Sequence, residues 1–204
     1  MRKILYIDVC TRPDSRTRVL AEHLLSYLEG EVTHLELFKE DIRPLTSEAR
    51  AQRRECLKQG SYDAQGLKYA KQFAEADIIV IAAPVWNLCF PSLLLNYCEN
   101  IAEDGITYRV DDNGNHEGLC KTRKLYYVTA TGTRNLDPVF GYGYLKSLFS
   151  MLGIHSSACF SAEALDVPGA DVDMLLDICK REIDASFNFP SRDTMQFEPI
   201  SSDK

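Results

Sequence analysis

A single α/β domain, built on a parallel sheet with helices over both faces, is what this sequence predicts. Two observations lead there. Short apolar runs of strand length alternate along the chain with segments whose apolar residues recur at helical spacing. The chain has 204 residues, with no internal repeat or low-complexity stretch to divide it, so one core of ordinary size accounts for most of its length.

The elements follow in order. RKILYIDV, Arg2 to Val9, reads as the first strand, and CTRPDSRTR after it is a loop rich in hydroxyls and arginine. SRTRVLAEHLLSYLEG then places Val19, Leu20, Leu24, Leu25 and Leu28 on one helical face, with Gly30 where a helix stop belongs. VTHLELF is a second strand and DIRPLT a loop. Ala49 to Ala76 is charged and helical in pattern, expected as two helices parted near Gly60-Ser61, with Asp63 as a cap. Asp77 to Ala83 is the third strand. Pro91 suits the first turn of the next helix, Leu93 to Ala102, because its missing N–H costs nothing there. In GITYRVDDNGNHEGL the pair Asn113-Gly114 signals a hairpin. Arg123 to Ala130 is the fourth strand, Tyr144 to Leu152 a helix, Ile154 to Ala162 the fifth strand and Asp171 to Phe187 the last helix. The domain is thus expected over residues 1–187, and the tail, residues 188–204, is expected to be irregular or to cross onto another chain.

Composition excludes several classes of function. The formal net charge of -7 argues against a broad nucleic-acid footprint, which needs clustered Lys and Arg. No apolar run reaches the length of a membrane span and no secretory signal is visible, so a cytoplasmic protein is expected. Seven cysteines, with no CxxC pair, and four scattered histidines read as reduced thiols and ordinary ring positions, with no metal site. Glu99, Glu103 and Asp104 read as a solvated acidic face.

In an open parallel sheet every strand points its carboxyl end to one edge, where ligands bind. The loops CTRPDSRT, PVWNLCF and TATGTR therefore meet in space. The first sets Thr11, Ser15 and Thr17 beside a helix start and Arg16, an arrangement that suits a terminal monophosphate; a plain helix N-cap fits the same residues. No GxGxxG or GxxxxGK[ST] is present, so neither dinucleotide nor nucleoside-triphosphate fingerprints apply. The second loop offers Trp86 and Leu88 as a flat apolar wall beside Asn87, although a tryptophan at a strand end also serves as core. The third offers Gly132, where a backbone could approach a ligand, between the hydroxyls of Thr131 and Thr133.

These residues bring out a resemblance. IIVIAAPVWN, followed by PSLLLNYCENIAEDGITYRVDDNGNHEGL, resembles the FMN-dependent NADH azoreductases and their NAD(P)H:quinone oxidoreductase relatives, of flavodoxin-like fold, and the likeness runs from Arg2 to about Phe187. It implies a five-stranded parallel sheet in the order 2-1-3-4-5, with the hairpin inserted after the helix that follows strand three. It implies bound FMN, with the phosphate at Ser15-Arg16-Thr17 and Cys10, and the ring between Pro84-Val85-Trp86-Asn87-Leu88 and Ala130-Thr131-Gly132-Thr133. Cys10 and Ala130 replace hydroxyls usual in that family, Thr131 an arginine, Thr133 a glycine and Leu95 a lysine. The chemistry would belong to the flavin: NADH or NADPH delivers hydride to its N5, leaves, and a quinone or azo acceptor takes the same face, giving ping-pong kinetics and no catalytic side chain. Trp86, Phe90 and Tyr108 are the expected acceptor-pocket walls, with Tyr142 and Tyr144 as further candidates. A homodimer with the sites near the subunit boundary is implied as well; Leu94 to Ile101 and the hairpin could form its patch, although the same residues would also serve as ordinary core. A flavodoxin-type electron carrier, an NAD(P)H:FMN reductase without acceptor preference, and a flavin-free binding protein are the alternatives.

Overall fold

A computed structural model describes residues 1–61, 65–134, 137 and 141–188 of the chain. Its main sheet comprises β1 (Lys3–Asp8), β2 (Glu31–Glu36), β3 (Ile78–Ala82), β6 (Lys124–Ala130) and β7 (Ser157–Ala162). All neighbours are parallel, in the order β2-β1-β3-β6-β7, the order implied by the resemblance. The inserted hairpin pairs β4 (Tyr108–Val110) antiparallel with β5 (His116–Gly118), and Asp111 closes it by accepting from the N–H groups of Asn113 and Asn115.

β3 is buried along its whole length because helices lie against both of its faces. On one side Leu5, Ile7, Ile79, Ile81, Leu125 and Tyr127 pack with Phe73, Tyr97 and Phe149 from α3 (Lys68–Glu75), α4 (Ser92–Ile101) and α5 (Tyr142–Met151). On the other, Ile4, Tyr6, Val80 and Val128 pack with Leu20 and Leu24 of α1 (Arg16–Leu25) and with Cys179 and Ile183 of α6 (Val172–Asn188). α2 (Ser47–Lys58) is held differently. Its Arg53 is buried and donates to the Asn100 main-chain and side-chain oxygens and, at 3.3 Å, to Glu103.

Several boundaries differ from expectation, each for a local reason. α1 stops at Leu25, five residues short of Gly30. That glycine instead sits against the Arg2 carbonyl, where a Cβ would approach to 2.5 Å, and so lets the chain enter β2 beside β1. β2 ends at Glu36 in a single 3₁₀ turn, Leu37–Lys39, which puts Phe38 on the surface. Glu103 is not a solvated acid but the partner of buried Arg53. Leu94, Tyr97, Cys98 and Ile101 turn inward as core, leaving Leu95 and, on the hairpin, Val110 as the exposed large apolar side chains of that expected patch. Asp63 and the tail beyond residue 188 lie outside the described residues. Among the described residues no helix is long and apolar enough to cross a membrane.

Candidate functional site

The carboxyl ends of β1, β3, β6 and β7 open on one crevice of about 360 Å³. Its lining comes from four loops: Thr11, Arg12, Ser15, Arg16 and Thr17; Pro84, Val85 and Trp86; Ala130, Thr131 and Gly132; Leu165 and Asp166.

The first loop is shaped by the start of α1. Ser15 has an extended backbone and its hydroxyl accepts from the Arg18 N–H, so it caps the helix as the residue type predicts. The cap leaves the second expected use open to the same residue, because a capped helix start that lines a crevice still directs its dipole and first N–H groups outward. Cys10 lies beneath the loop rather than on the crevice wall: it is buried, its thiol faces the Ala82 carbonyl at 3.8 Å, and burial pushes that thiol up to about 12.

Arg18, one turn into α1, holds this loop in place. Its guanidinium donates to the carbonyls of Cys10, Arg12 and Pro13 and, at 2.7 Å, to the carboxylate of Asp8. The Asp8 side chain is wholly buried at the end of β1 and also accepts from the Cys10 N–H at 2.8 Å, with His34 Nε2 at 3.3 Å. Burial pushes the Asp8 carboxyl up, yet the Arg18 and Cys10 hydrogen bonds outweigh it and hold the group below the ordinary carboxylate range.

The second loop is a tight reversal. Trp86 and Cys89 exchange two backbone hydrogen bonds, at 2.6 and 3.0 Å, around Asn87 and Leu88. Both central residues have positive φ, 50° and 70°, the pattern of a two-residue hairpin turn that favours glycine. Asn tolerates this conformation; a leucine there stores about 1 kcal/mol of strain, the kind of backbone outlier that gathers at functional sites. Among the described residues no acceptor takes the N–H of Asn87 or Leu88. Trp86 stands 46% exposed with Phe38 against it at a ring separation of 6.3 Å, so it forms a wall rather than core. Leu88 turns to a second, smaller cavity of about 140 Å³, shared with Cys89, Tyr127, Thr129 and Cys159.

The third loop departs from expectation. Thr131 is buried with its hydroxyl 3.2 Å from that of Thr133. The open side of Gly132 is not free for a ligand. A Cβ built there would lie 2.2 Å from Asp166 Oδ2, so the missing side chain makes room for a carboxylate. Three hydrogen bonds, Ala164 N–H to Thr133 O, Leu165 N–H to Thr131 O and Asp166 N–H to Gly132 O, join the loop after β7 to this one.

The sequence-derived residues Ser15, Arg16, Thr17, Pro84, Val85, Trp86, Ala130, Thr131 and Gly132 thus come together on the crevice. Asn87 and Thr133 do not line it, although each neighbours in sequence a residue that does or that bonds to one, and Leu88 lines the second cavity instead. Phe90 is buried in the core against Tyr144, and Tyr108 lines a separate polar groove with Arg50, Arg54, Glu99 and Asp104, so neither walls the crevice within one chain. Tyr142 donates to or accepts from Ser157 at 2.7 Å. The reading by loops missed Asp8, Arg18, Phe38, Leu165 and Asp166. Asp166 had a signal, since the fifth strand of the sheet ends at the same edge as the others; the Arg18 contacts had none.

This donor set fits a flavin mononucleotide. Hydroxyls and a helix start line the crevice together with an exposed indole, and the turn after that indole carries two main-chain N–H groups with no acceptor among the described residues. Comparison with known proteins agrees. Residues 2–186 match the family model described as the flavodoxin-like fold. The FMN-dependent NADH:quinone oxidoreductase 2 of Clostridium acetobutylicum is 38% identical over 189 residues, which cover 86% of this chain and 93% of that one. The FMN-dependent NADH:quinone oxidoreductase of Coprothermobacter proteolyticus is 33% identical over 194 residues, covering 89% and 96%. Among solved structures, an azoreductase from Bacillus anthracis aligns with a TM-score of 0.79 at 22% identity, covering 92% of this chain and 99% of that one. An FMN-dependent NADH-azoreductase of the same organism, in complex with FMN, aligns with a TM-score of 0.76 at 21% identity, covering 92% and 98%. Those two identities speak for the fold alone. With the family model matched over nearly its whole length and relatives more than 30% identical across most of theirs, this chain belongs to the flavodoxin-like family that holds the FMN-dependent NADH:quinone oxidoreductases.

Proposed function

We propose that this protein is an FMN-dependent oxidoreductase that uses NADH or NADPH to reduce quinones and aromatic azo compounds. The observation that carries the proposal is the crevice itself. Loops distant in sequence converge there to pair a helix start suited to an anion with a strained turn whose N–H groups meet no acceptor among the described residues. When bound, FMN supplies the hydride-accepting and electron-donating chemistry.

The chain's own groups bind, orient and stabilise. Ser15, Thr17 and the first N–H groups of α1 hold the phosphate. The turn at Asn87-Leu88 presents fixed donors to a ring edge, where they stabilise negative charge without reorganising. Trp86 and Phe38 form an apolar wall beside the open face. Within one chain that face lacks the Phe90 and Tyr108 walls, and Trp86, Leu88, Leu95, Val110 and Tyr144 remain exposed. A homodimer that covers this apolar surface, in the cytoplasm, completes the proposal.

The test is spectroscopic. Protein mixed with FMN and freed of excess ligand is expected to be yellow, to bleach anaerobically on addition of NADH or NADPH, and to recover its colour with a benzoquinone. Protein that stays colourless after FMN excess defeats the proposal; yellow protein inert to both nicotinamides would leave an electron carrier in its place.

A further inference from the structure

Each arginine of the first loop and first turn has its own carboxylate. Arg18 pairs with buried Asp8 at 2.7 Å, and Arg12 with exposed Asp14 at 3.9 Å. Arg16, the first residue of α1, reaches across to the loop after β7, where Nη1 donates to Asp166 Oδ1 at 3.0 Å and lies 3.4 Å from the Leu165 carbonyl. Arg16 and Asp166 both line the crevice, at the end where Ser15 and Thr17 stand. Asp166 is held there by design of its surroundings: its N–H donates to the Gly132 carbonyl, and its carboxylate fills the space that only a glycine at 132 leaves open. The side chains of the pair are 35% and 74% exposed, so the contact is one that a better anion can break.

We infer that Asp166 is an internal competitor of the flavin phosphate for Arg16 and thereby sets the affinity of the site for phosphorylated flavin. The inference rests on the FMN reading above. A phosphate dianion at the start of α1 has up to twice the charge of a carboxylate and more acceptor oxygens, and a guanidinium prefers it. Arg16 must leave Asp166 to meet it, so part of the phosphate's binding energy is lost in breaking the existing pair. The carboxylate that remains at the mouth then repels the same phosphate. Both effects lower FMN affinity, and neither acts on riboflavin, which lacks the phosphate. The competition therefore makes FMN retention readily reversible and narrows the advantage of FMN over riboflavin.

The test is equilibrium titration of the full chain with FMN and with riboflavin, followed by quenching of flavin fluorescence, for wild type, D166N, R16Q and the R16Q/D166N pair. D166N is expected to bind FMN about fivefold more tightly, the upper range for an exposed ion pair, with riboflavin changed less than about twofold. In the R16Q background the D166N gain should shrink to the part owed to direct repulsion, less than about twofold, because the competition for the guanidinium runs through Arg16. The inhibition constant of inorganic phosphate against FMN should fall in D166N by a factor similar to that for FMN itself, since the freed guanidinium serves any phosphate. Far-UV circular dichroism of each variant establishes that the fold is kept. Wild type that binds FMN while D166N binds it equally overturns the competition, and weaker binding by D166N overturns it and makes Asp166 a positioning residue. A D166N gain that persists undiminished in R16Q also overturns it, by assigning the effect to bulk charge. Wild type that takes no flavin at all overturns the FMN reading, and the competition with it.

Discussion

Replacing Arg18 by methionine tests how the site is held together. The Asp8 side chain has no solvent exposure and its partner Arg18 only 17%, so the change leaves a buried carboxylate without its 2.7 Å donor. Breaking a buried pair from one side costs roughly 3–5 kcal/mol. The lower end applies here, because His34 at 3.3 Å and the Cys10 N–H still face Asp8. The carbonyls of Arg12 and Pro13 that Arg18 releases can turn to water and add little. A loss of about 3 kcal/mol near neutral pH is therefore expected. The pH dependence has a definite sign. In the wild type the folded Asp8 lies below its unfolded value, so its contribution is present above the unfolded value of about 3.9 and is lost as pH falls through the folded one. Without Arg18, burial dominates and raises the group, so the ionised form destabilises the fold and protonation relieves it. The gap between wild type and R18M should then be widest at pH 7.5 and narrower at pH 4.5. Urea unfolding followed by circular dichroism at both pH values measures it, with D8N/R18M expected to recover part of the loss. A gap under about 1 kcal/mol at pH 7.5, or one independent of pH, would refute the role given to this pair.

Three further outcomes are expected. Trp86 is the chain's single tryptophan and stands on the crevice, so FMN titration should quench most of the intrinsic tryptophan emission; an unquenched spectrum at saturating FMN would place the flavin elsewhere. Gly118→Ala should destabilise the protein by about 1–3 kcal/mol in thermal or urea unfolding, because a Cβ there would meet the Gly153 main-chain nitrogen at 2.0 Å and backbone cannot step aside; a neutral result would show that the hairpin can shift from the end of α5. Ser15→Ala should cost about 1 kcal/mol of stability through the lost cap and also weaken FMN more than riboflavin, a split that equilibrium titration resolves.

The alternation of apolar runs with helical spacing determined a parallel sheet of five strands, because burying apolar surface at each period leaves few layered solutions, and Asn113-Gly114 marked the hairpin, while the strand order was implied by the family resemblance. Loop chemistry near Ser15 and Trp86 was also legible, since every parallel strand ends at the same edge and the loops beyond it must share a crevice. Boundaries such as the early end of α1 were not, because Gly30 answers to the Arg2 carbonyl, a contact made only when β1 and β2 pair. The same holds for the polar network. Asp8 and Arg18 are ten residues apart and Arg16 and Asp166 one hundred and fifty, and nothing in local periodicity says that a carboxylate and a guanidinium will meet. Spacing alone settles that residues such as Leu20 and Leu24 turn inward. Which charge faces which, and therefore whether Gly132 admits a ligand or an aspartate, is decided only when loops from different strands pack against one another.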